Sequence, residues 1–310
     1  MGTDRLDFDM NTLKRPYPAQ TAQFIVNSPR MPDPPSAAAH PLAWRDGAFH
    51  SAERRLAGEC AVAVTYGRAT HAVMLATPAD LEDFAVGFSL SEQVIASPAD
   101  IERVAVVPLD EGVELRIDLV PSRAALYVRR RRMMAGPAGC GLCGAESLDQ
   151  VMCALGQVTT DLTLAPAEIL AALAALDRAQ NLNAETHGVH GAGFWLPTRG
   201  LVAAREDVGR HNALDKLIGA LARAGVAVPM GIIVMTSRVS LELVQKTVRA
   251  GVPVLAAMSA PSALAVRLAE ASGLTLIAVA RRDGFEVFSH PERLAGVAEP
   301  APAMQHAPPR

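Results

Sequence analysis

Gly231-Ile232-Ile233-Val234-Met235-Thr236-Ser237-Arg238-Val239-Ser240 decides the fold of this 310-residue chain. The first five residues are apolar throughout, without the in-out alternation of a sheet that has one wet face. They read as a strand buried on both sides. The next five turn polar and open a helical pattern over 240–250. The unit recurs: strand-like segments at 200–204, 231–235, 253–257 and 274–280 alternate with helical segments at 209–224, 240–250 and 261–272. Such alternation builds βαβ units. The expectation is an α/β fold with α+β elements, a three-layer core and a mostly parallel C-terminal sheet.

Further toward the N-terminus the pattern changes. Cys60–Tyr66 and His71–Ala76 read as two strands across a Gly67-Arg68-Ala69 turn. Thr77-Pro78-Ala79-Asp80 reads as an N-cap, a proline at N1 and an acid at N3, opening a helix to about Ile95. Strands near 103–107 and 113–119 complete a smaller N-terminal β/helix portion, residues 51–130. Ser147–Leu155 and Pro166–Gln180 read as helices, so the α/β core is assigned to 147–292. Residues 1–50 are rich in Pro and Ala (Pro32-Asp33-Pro34-Pro35-Ser36), lack a sustained period and read as a disordered tail. Residues 293–310 read the same way, with four prolines in the stretch from Ala298 to Arg310.

Composition narrows the class. A net charge of −3 lacks the basic surplus of a nucleic-acid binder. Four cysteines are too few for a disulfide framework, which points to a reducing compartment. The N-terminal residues contain no continuous apolar h-region, and no run of about 18 apolar residues occurs. The expectation is a cytoplasmic protein with no membrane or nucleic-acid partner.

Four segments carry chemistry. Gly139-Cys140-Gly141-Leu142-Cys143-Gly144 sits in a segment read as a mobile loop, 131–146, behind Arg129-Arg130-Arg131-Arg132. A Cys-x-x-Cys pair can hold a metal, cycle as a dithiol, or carry sulfur as a persulfide. All three need thiolates, which positive neighbours favour. A structural zinc wants four ligands, and the remaining candidates are only His187, His190 and the isolated Cys60 and Cys153. Cys60 and Cys153 read as core residues. Glu185-Thr186-His187-Gly188-Val189-His190-Gly191-Ala192-Gly193 reads as a Gly-rich loop with two histidines. Arg205 through Lys216 packs charges of both signs where a strand ends and a helix begins, a common ligand location in open α/β sheets. Arg210 and His211 there suit an anionic group, as do Arg238 and Ser240 at the next strand end. A solvated, ordinarily capped helix start is the plain alternative. The Gly-Lys-Ser/Thr ending of a Walker loop is absent.

Taken together, these segments resemble the FdhD family of formate dehydrogenase accessory sulfurtransferases, from about residue 60 to 290. The resemblance is carried in order by Asp80–Phe88, Cys140-Gly141-Leu142-Cys143-Gly144, Arg205–Lys216, Leu241–Lys246, Ala260-Pro261-Ser262 and the strand around Phe285. Two positions depart from it: His187 stands where the family has a glycine, and Thr236-Ser237 replace its Ser-Gly. The resemblance implies a cytidine-deaminase-like core, usually as a homodimer. It also implies a sulfur carrier that takes sulfur from a cysteine desulfurase and passes it to Mo-bis(molybdopterin guanine dinucleotide), a bound substrate later inserted into formate dehydrogenase. Cys140 would bear the persulfide and Cys143 assist it. Phe285, Glu286, Val287, Phe288, Ser289 and His290 align with a stretch implied in cofactor binding, alongside Arg210, His211, Arg238, Ser240 and His190; no resident metal is expected. A non-catalytic cofactor-binding chaperone is the alternative. A zinc deaminase fits less well, since its His-x-Glu is missing.

Overall fold

The computed structural model describes residues 34–133 and 156–297; the assigned helix 147–155 lies outside the described residues. A six-stranded sheet organises the C-terminal half, in the order β10-β9-β11-β12-β13-β14. Its strands are β9 (His190–Leu196), β10 (Gly200–Asp207), β11 (Ile232–Met235), β12 (Val254–Ala257), β13 (Thr275–Arg281) and β14 (Gly284–Ser289). Alternate residues of the central strands enter different cores, which explains their unbroken apolarity. Ile232, Val234, Val254, Ala256 and Ile277 pack with helix α3 (Pro166–Ala179). Ile233, Met235, Leu255, Ala257 and Leu276 pack with α5 (Arg210–Arg223), α6 (Leu241–Arg249) and α7 (Ala263–Ala271) on the other face.

The sheet is mixed rather than mostly parallel. Only β11–β12 and β12–β13 are parallel, while β10–β9, β9–β11 and β13–β14 are antiparallel. The difference originates in β9, whose glycines disguise it as a loop. A Cβ on Gly191 would lie 2.7 Å from the Gln180 side chain, and one on Gly193 would lie 3.0–3.2 Å from Leu201, Val234 and Leu176. These are glycines of close helix-on-sheet packing, a known reason for glycine inside a strand.

The N-terminal half is a second sheet, β6-β5-β8-β7, made of β5 (Cys60–Tyr66), β6 (Ala69–Ala76), β7 (Ile101–Leu109) and β8 (Gly112–Leu119). Its inner face meets α1 (Leu81–Ser91) through Val64, Leu115, Phe84 and Phe88. Helix α1 begins three residues later than the capping pattern implies and ends at Ser91. Thr77 does not cap it; that residue is bonded to the C-terminal half instead. Helix α2 (Pro121–Met133) holds Arg129 and Arg130 and runs three residues into the segment expected to be a mobile loop, 131–146. Much of residues 36–50, expected in a disordered tail, forms strands. β1 (Ser36–Ala39) pairs with β4 (Arg54–Ala57), and β2 (Leu42–Arg45) with β3 (Ala48–Ser51), around a turn at Asp46-Gly47 where both φ values are positive. Asp-Gly between strand-forming residues is the hairpin signal that betrays this ribbon.

Candidate functional site at the strand carboxyl edge

The two halves meet where α1 crosses α5. A Cβ on Gly87 would stand 1.7 Å from the Asp215 carbonyl oxygen, and one on Gly219 would stand 1.9 Å from that of Asp83. The backbones therefore touch, and most of the Arg205–Lys216 motif serves this junction. Asp207 and Lys216, both fully buried, pair at 2.6 Å. The Thr77 N–H donates to Asp207 Oδ2 at 3.0 Å, and Lys216 Nζ donates to the Thr77 carbonyl at 2.9 Å. Asp207 Oδ1 accepts from the Gly209 N–H and from Asn212 Nδ2, at 2.8 and 3.1 Å. Asp215 pairs with Lys246 at 2.7 Å and accepts from the Ser91 hydroxyl at 2.6 Å. Burial pushes the Asp215 carboxyl upward in spite of Lys246. Arg205 bonds Asp83 from β10 at 2.7 Å. The N-terminus of α5 is thus partly filled by the chain's own carboxylate, so the motif is chiefly an internal clamp rather than a ligand site along its whole length.

Arg210 and His211 are what the clamp leaves for the edge. His211 Nε2 lies 3.2 Å from Ser240 Oγ and 3.8 Å from Glu242. Burial, then the Arg210 charge, hold His211 below the usual imidazole range, against the pull of Glu242. His190 opens β9 beside the same guanidinium, and burial and Arg210 lower it likewise. Burial works to raise Glu242, but its bonds to Ser240 and to its own backbone N–H, with His211 and Arg210 nearby, leave it lowered. Arg210 Nε is buried and has no hydrogen-bond partner among the described residues. Buried donors are normally paired, so this one suits an acceptor brought from outside.

The backbone beneath is tightly tied. The Thr236 N–H donates to the Gly191 carbonyl, and the Gly191 N–H donates to Thr236 Oγ1, at 3.1 and 3.0 Å. The loops following β11 and β12 bond through Val239 N to Ala260 O and Ser262 N to Val239 O, at 3.2 and 2.9 Å. His190, Arg210, His211 and Ser240 therefore cluster at the carboxyl ends of β11 and β12, and Arg238 in the same loop is exposed. Ser237 is 2 % exposed, has an ordinary negative φ and donates to the Arg238 carbonyl; glycine is not needed there.

Phe285–His290 are placed differently. Ser289 pairs with Leu276 near the start of β13, the far edge of the sheet from Arg210. Its hydroxyl donates to the Leu274 carbonyl and accepts from the Leu276 N–H. His290 contacts Glu292 through Nδ1 and the Glu270 carbonyl through Nε2, each at 2.8 Å. Burial opposes its protonation, but these partners raise it above the usual range. Phe285 and Val287 pack against the core on the α3 side and Phe288 against the other, while Glu286 is exposed. Cys140 and Cys143 lie outside the described residues. The helix leading toward them is firmly seated: Arg130 Nη1 donates to the Glu92 and Gln93 carbonyls at the end of α1, and Arg123 Nε donates to the Val94 carbonyl. Sequence reasoning missed Thr77, whose capping-box look hid a contact 130 residues away.

Comparison with known proteins agrees with this architecture. A family model described as the FdhD/NarQ family matches residues 57–295. A sulfur carrier protein FdhD from Agrobacterium fabrum is 50% identical over 257 residues, covering 81% of this chain and 93% of that one. One from Xanthomonas campestris pv. campestris is 48% identical over 84% of this chain and 92% of its own. The crystal structure of a protein named as a formate dehydrogenase accessory protein from Desulfotalea psychrophila superposes with a TM-score of 0.68 at 26% identity, covering 84% of this chain and all of that one. With the match running from β4 through the whole clamp and both sheets, this chain belongs to the FdhD/NarQ family.

Proposed function

We propose that this protein is a cytoplasmic sulfurtransferase acting as a persulfide carrier for formate dehydrogenase. The Cys140 thiolate attacks the outer sulfur of a cysteine desulfurase persulfide. The S–S bond of the donor breaks, the desulfurase cysteine leaves as a thiolate, and Cys140 becomes the persulfide, with Cys143 assisting. The Cys143 thiolate then attacks the inner sulfur of that persulfide: the Cys140–Cys143 disulfide forms and the bond to the terminal sulfur breaks. Sulfide leaves to replace an oxygen ligand, released as water, on Mo-bis(molybdopterin guanine dinucleotide), which is substrate rather than resident cofactor. A cellular thiol reductant reopens the disulfide. The reading takes the sheet with helices on both faces as a cytidine-deaminase-like core, assembled as a homodimer.

The observation that carries the cofactor part is the buried Arg210 Nε, without a hydrogen-bond partner among the described residues, in a cluster with His190, His211 and Ser240. A phosphate oxygen supplies the acceptor that this guanidinium lacks, and guanidinium–phosphate bonds are among the stronger hydrogen bonds. The names of relatives about half identical over nearly their full length support the sulfur part. Phe285–His290, on β14 and just after it, belong to the proposal as a second contact region for a long dinucleotide.

Guanosine diphosphate serves as a probe of this cluster. Calorimetric titration should give binding that Arg210→Gln weakens about tenfold or more, the order expected for one charge-assisted bond of ~1.5–3 kcal/mol. Equal affinity in the folded variant would remove Arg210 from the binding surface.

A further inference from the structure

Beside the N-terminal sheet lies a cavity of about 720 Å³ that the proposed function does not use. It is bounded by the turn joining β5 to β6, the start of β7, the end of β8 and one side of α2. We infer that this cavity binds a small zwitterion with an aromatic body, of the class of a free aromatic amino acid. Its carboxylate meets Arg68 and its ammonium meets Glu102.

The floor is aromatic and uncharged. Tyr66 and Tyr127 are 4 % and 7 % exposed, with ring centroids 4.8 Å apart. Both hydroxyls are engaged within the protein: Tyr66 Oη lies 2.7 Å from Ser89 Oγ, and Tyr127 Oη lies 3.1 Å from His71 Nδ1. Burial pushes the Tyr66 phenol upward, so it stays neutral. What these two residues offer a ligand is therefore ring surface, which Leu119, Ala124 and Val128 extend with aliphatic surface. An aromatic ligand gains more from such rings than its buried area alone supplies. The volume lies within the range of small-molecule sites, which join an apolar lining to a few placed polar groups.

Two irregularities of the sheet shape the cavity. Between the pairs Ile101–Leu119 and Arg103–Asp118, β7 carries one extra residue, Glu102. Between Thr65–Thr70 and Val64–Ala72, β6 carries another, His71. Bulges re-aim the side chains they insert and are frequent beside functional sites. Here one adds a carboxylate to the cavity wall, and the other supplies the imidazole that contacts the Tyr127 hydroxyl.

The cavity also carries opposite charges that are not spent on each other. Arg68 occupies the tight turn with Gly67, whose φ is +61°. Arg68 and Glu102 are both exposed, and neither has a hydrogen-bond or ion-pair partner among the described residues. Asp118, the third charged residue of the lining, is already paired with Arg103 at 2.9 Å. A guanidinium takes a carboxylate through two parallel bonds, and a free carboxylate takes an ammonium. A molecule bearing both ions answers both groups, whereas a simple anion or cation answers only one. A polyphosphate would meet repulsion from Glu102. The inference is independent of the sulfur-carrier reading.

Calorimetric titration of the full chain with L-tryptophan tests it. Tryptamine, which lacks the carboxylate, indole-3-propionate, which lacks the ammonium, and L-alanine, which lacks the ring, are the comparison compounds. Saturable binding of L-tryptophan is expected, with each comparison compound bound about tenfold or more weakly, the scale of one lost charge-assisted contact. Arg68→Gln should weaken L-tryptophan and indole-3-propionate but leave tryptamine unchanged. Glu102→Gln should weaken L-tryptophan and tryptamine but leave indole-3-propionate unchanged. Both side chains are exposed, so circular dichroism should be unaltered; if either variant loses its fold, the comparison compounds on the natural chain decide. Absence of saturable L-tryptophan binding overturns the inference. So does equal affinity for L-alanine, or a folded variant that binds all three indoles as the natural chain does.

Discussion

His187 ends helix α4 (Asn181–Thr186) with φ +51°, and its N–H bonds the Asn183 carbonyl. This left-handed C-terminal position is where helices favour glycine, which gives a physical reason for the family's glycine here. His187→Gly should therefore raise stability by up to about 1 kcal/mol, the lower end of the left-handed penalty on a side chain, read as a higher urea midpoint. An unchanged or lower midpoint would contradict the strain. His211 gives a pH prediction. Its folded pKa lies below the ordinary value, so in that window the unfolded chain binds more protons and stability falls as pH drops below about 6.5. NMR titration should find His211 below the free-histidine range. Arg210→Gln should move it upward by removing a nearby positive charge; no movement would separate the two residues. At this scale the sequence pointed to Arg210, His211, His190 and Ser240 as chemical residues, because charge and imidazole at strand ends are legible. It could not tell that Asp207, Asn212 and Lys216 face inward, since their partners, Leu75 in β6 and Thr77 just after it, lie 130–139 residues earlier.

The α1–α5 crossing is the element on which both halves depend. Gly87 and Gly219 have no room for a methyl group, because the atoms in the way are backbone. Gly87→Ala or Gly219→Ala should cost at least the ~1–3 kcal/mol usual for overpacking; a loss within measurement error would mean that the helices stand further apart. Lys216→Met tests the clamp itself. It leaves Asp207 buried without its cation, a change that typically costs about 3–5 kcal/mol. Denaturant unfolding measures both. Helices α3, α5, α6 and α7 were readable almost to their ends, unlike the short α4, since amphipathic runs between apolar strands leave little choice. β9 was not, because its glycines answer to neighbours on another helix. The Thr77–Asp80 box was misread for the opposite reason: its local capping pattern was complete, yet long-range bonds to Asp207 and Lys216 claimed Thr77 first.

Across the whole molecule, the α/β class followed from the rhythm of the C-terminal half. The mixed strand order did not, because antiparallel partners such as β9 and β14 carry no periodic mark of direction. No helix among the described residues is long and apolar enough to cross a membrane. The clamp fixes the N-terminal sheet, and with it α2, against the sheet whose edge presents Arg210. In the proposed function, a sulfur-bearing thiol and a phosphate-binding edge belong to one chain. The central claim is sulfur carriage on Cys140, and the direct measurement is intact mass after incubation with a cysteine desulfurase and L-cysteine, with and without dithiothreitol. The account predicts a gain of one sulfur atom that dithiothreitol removes and that is lost in Cys140→Ala, as a reactive thiolate requires. No gain with an active desulfurase, or the same gain in Cys140→Ala, would contradict it.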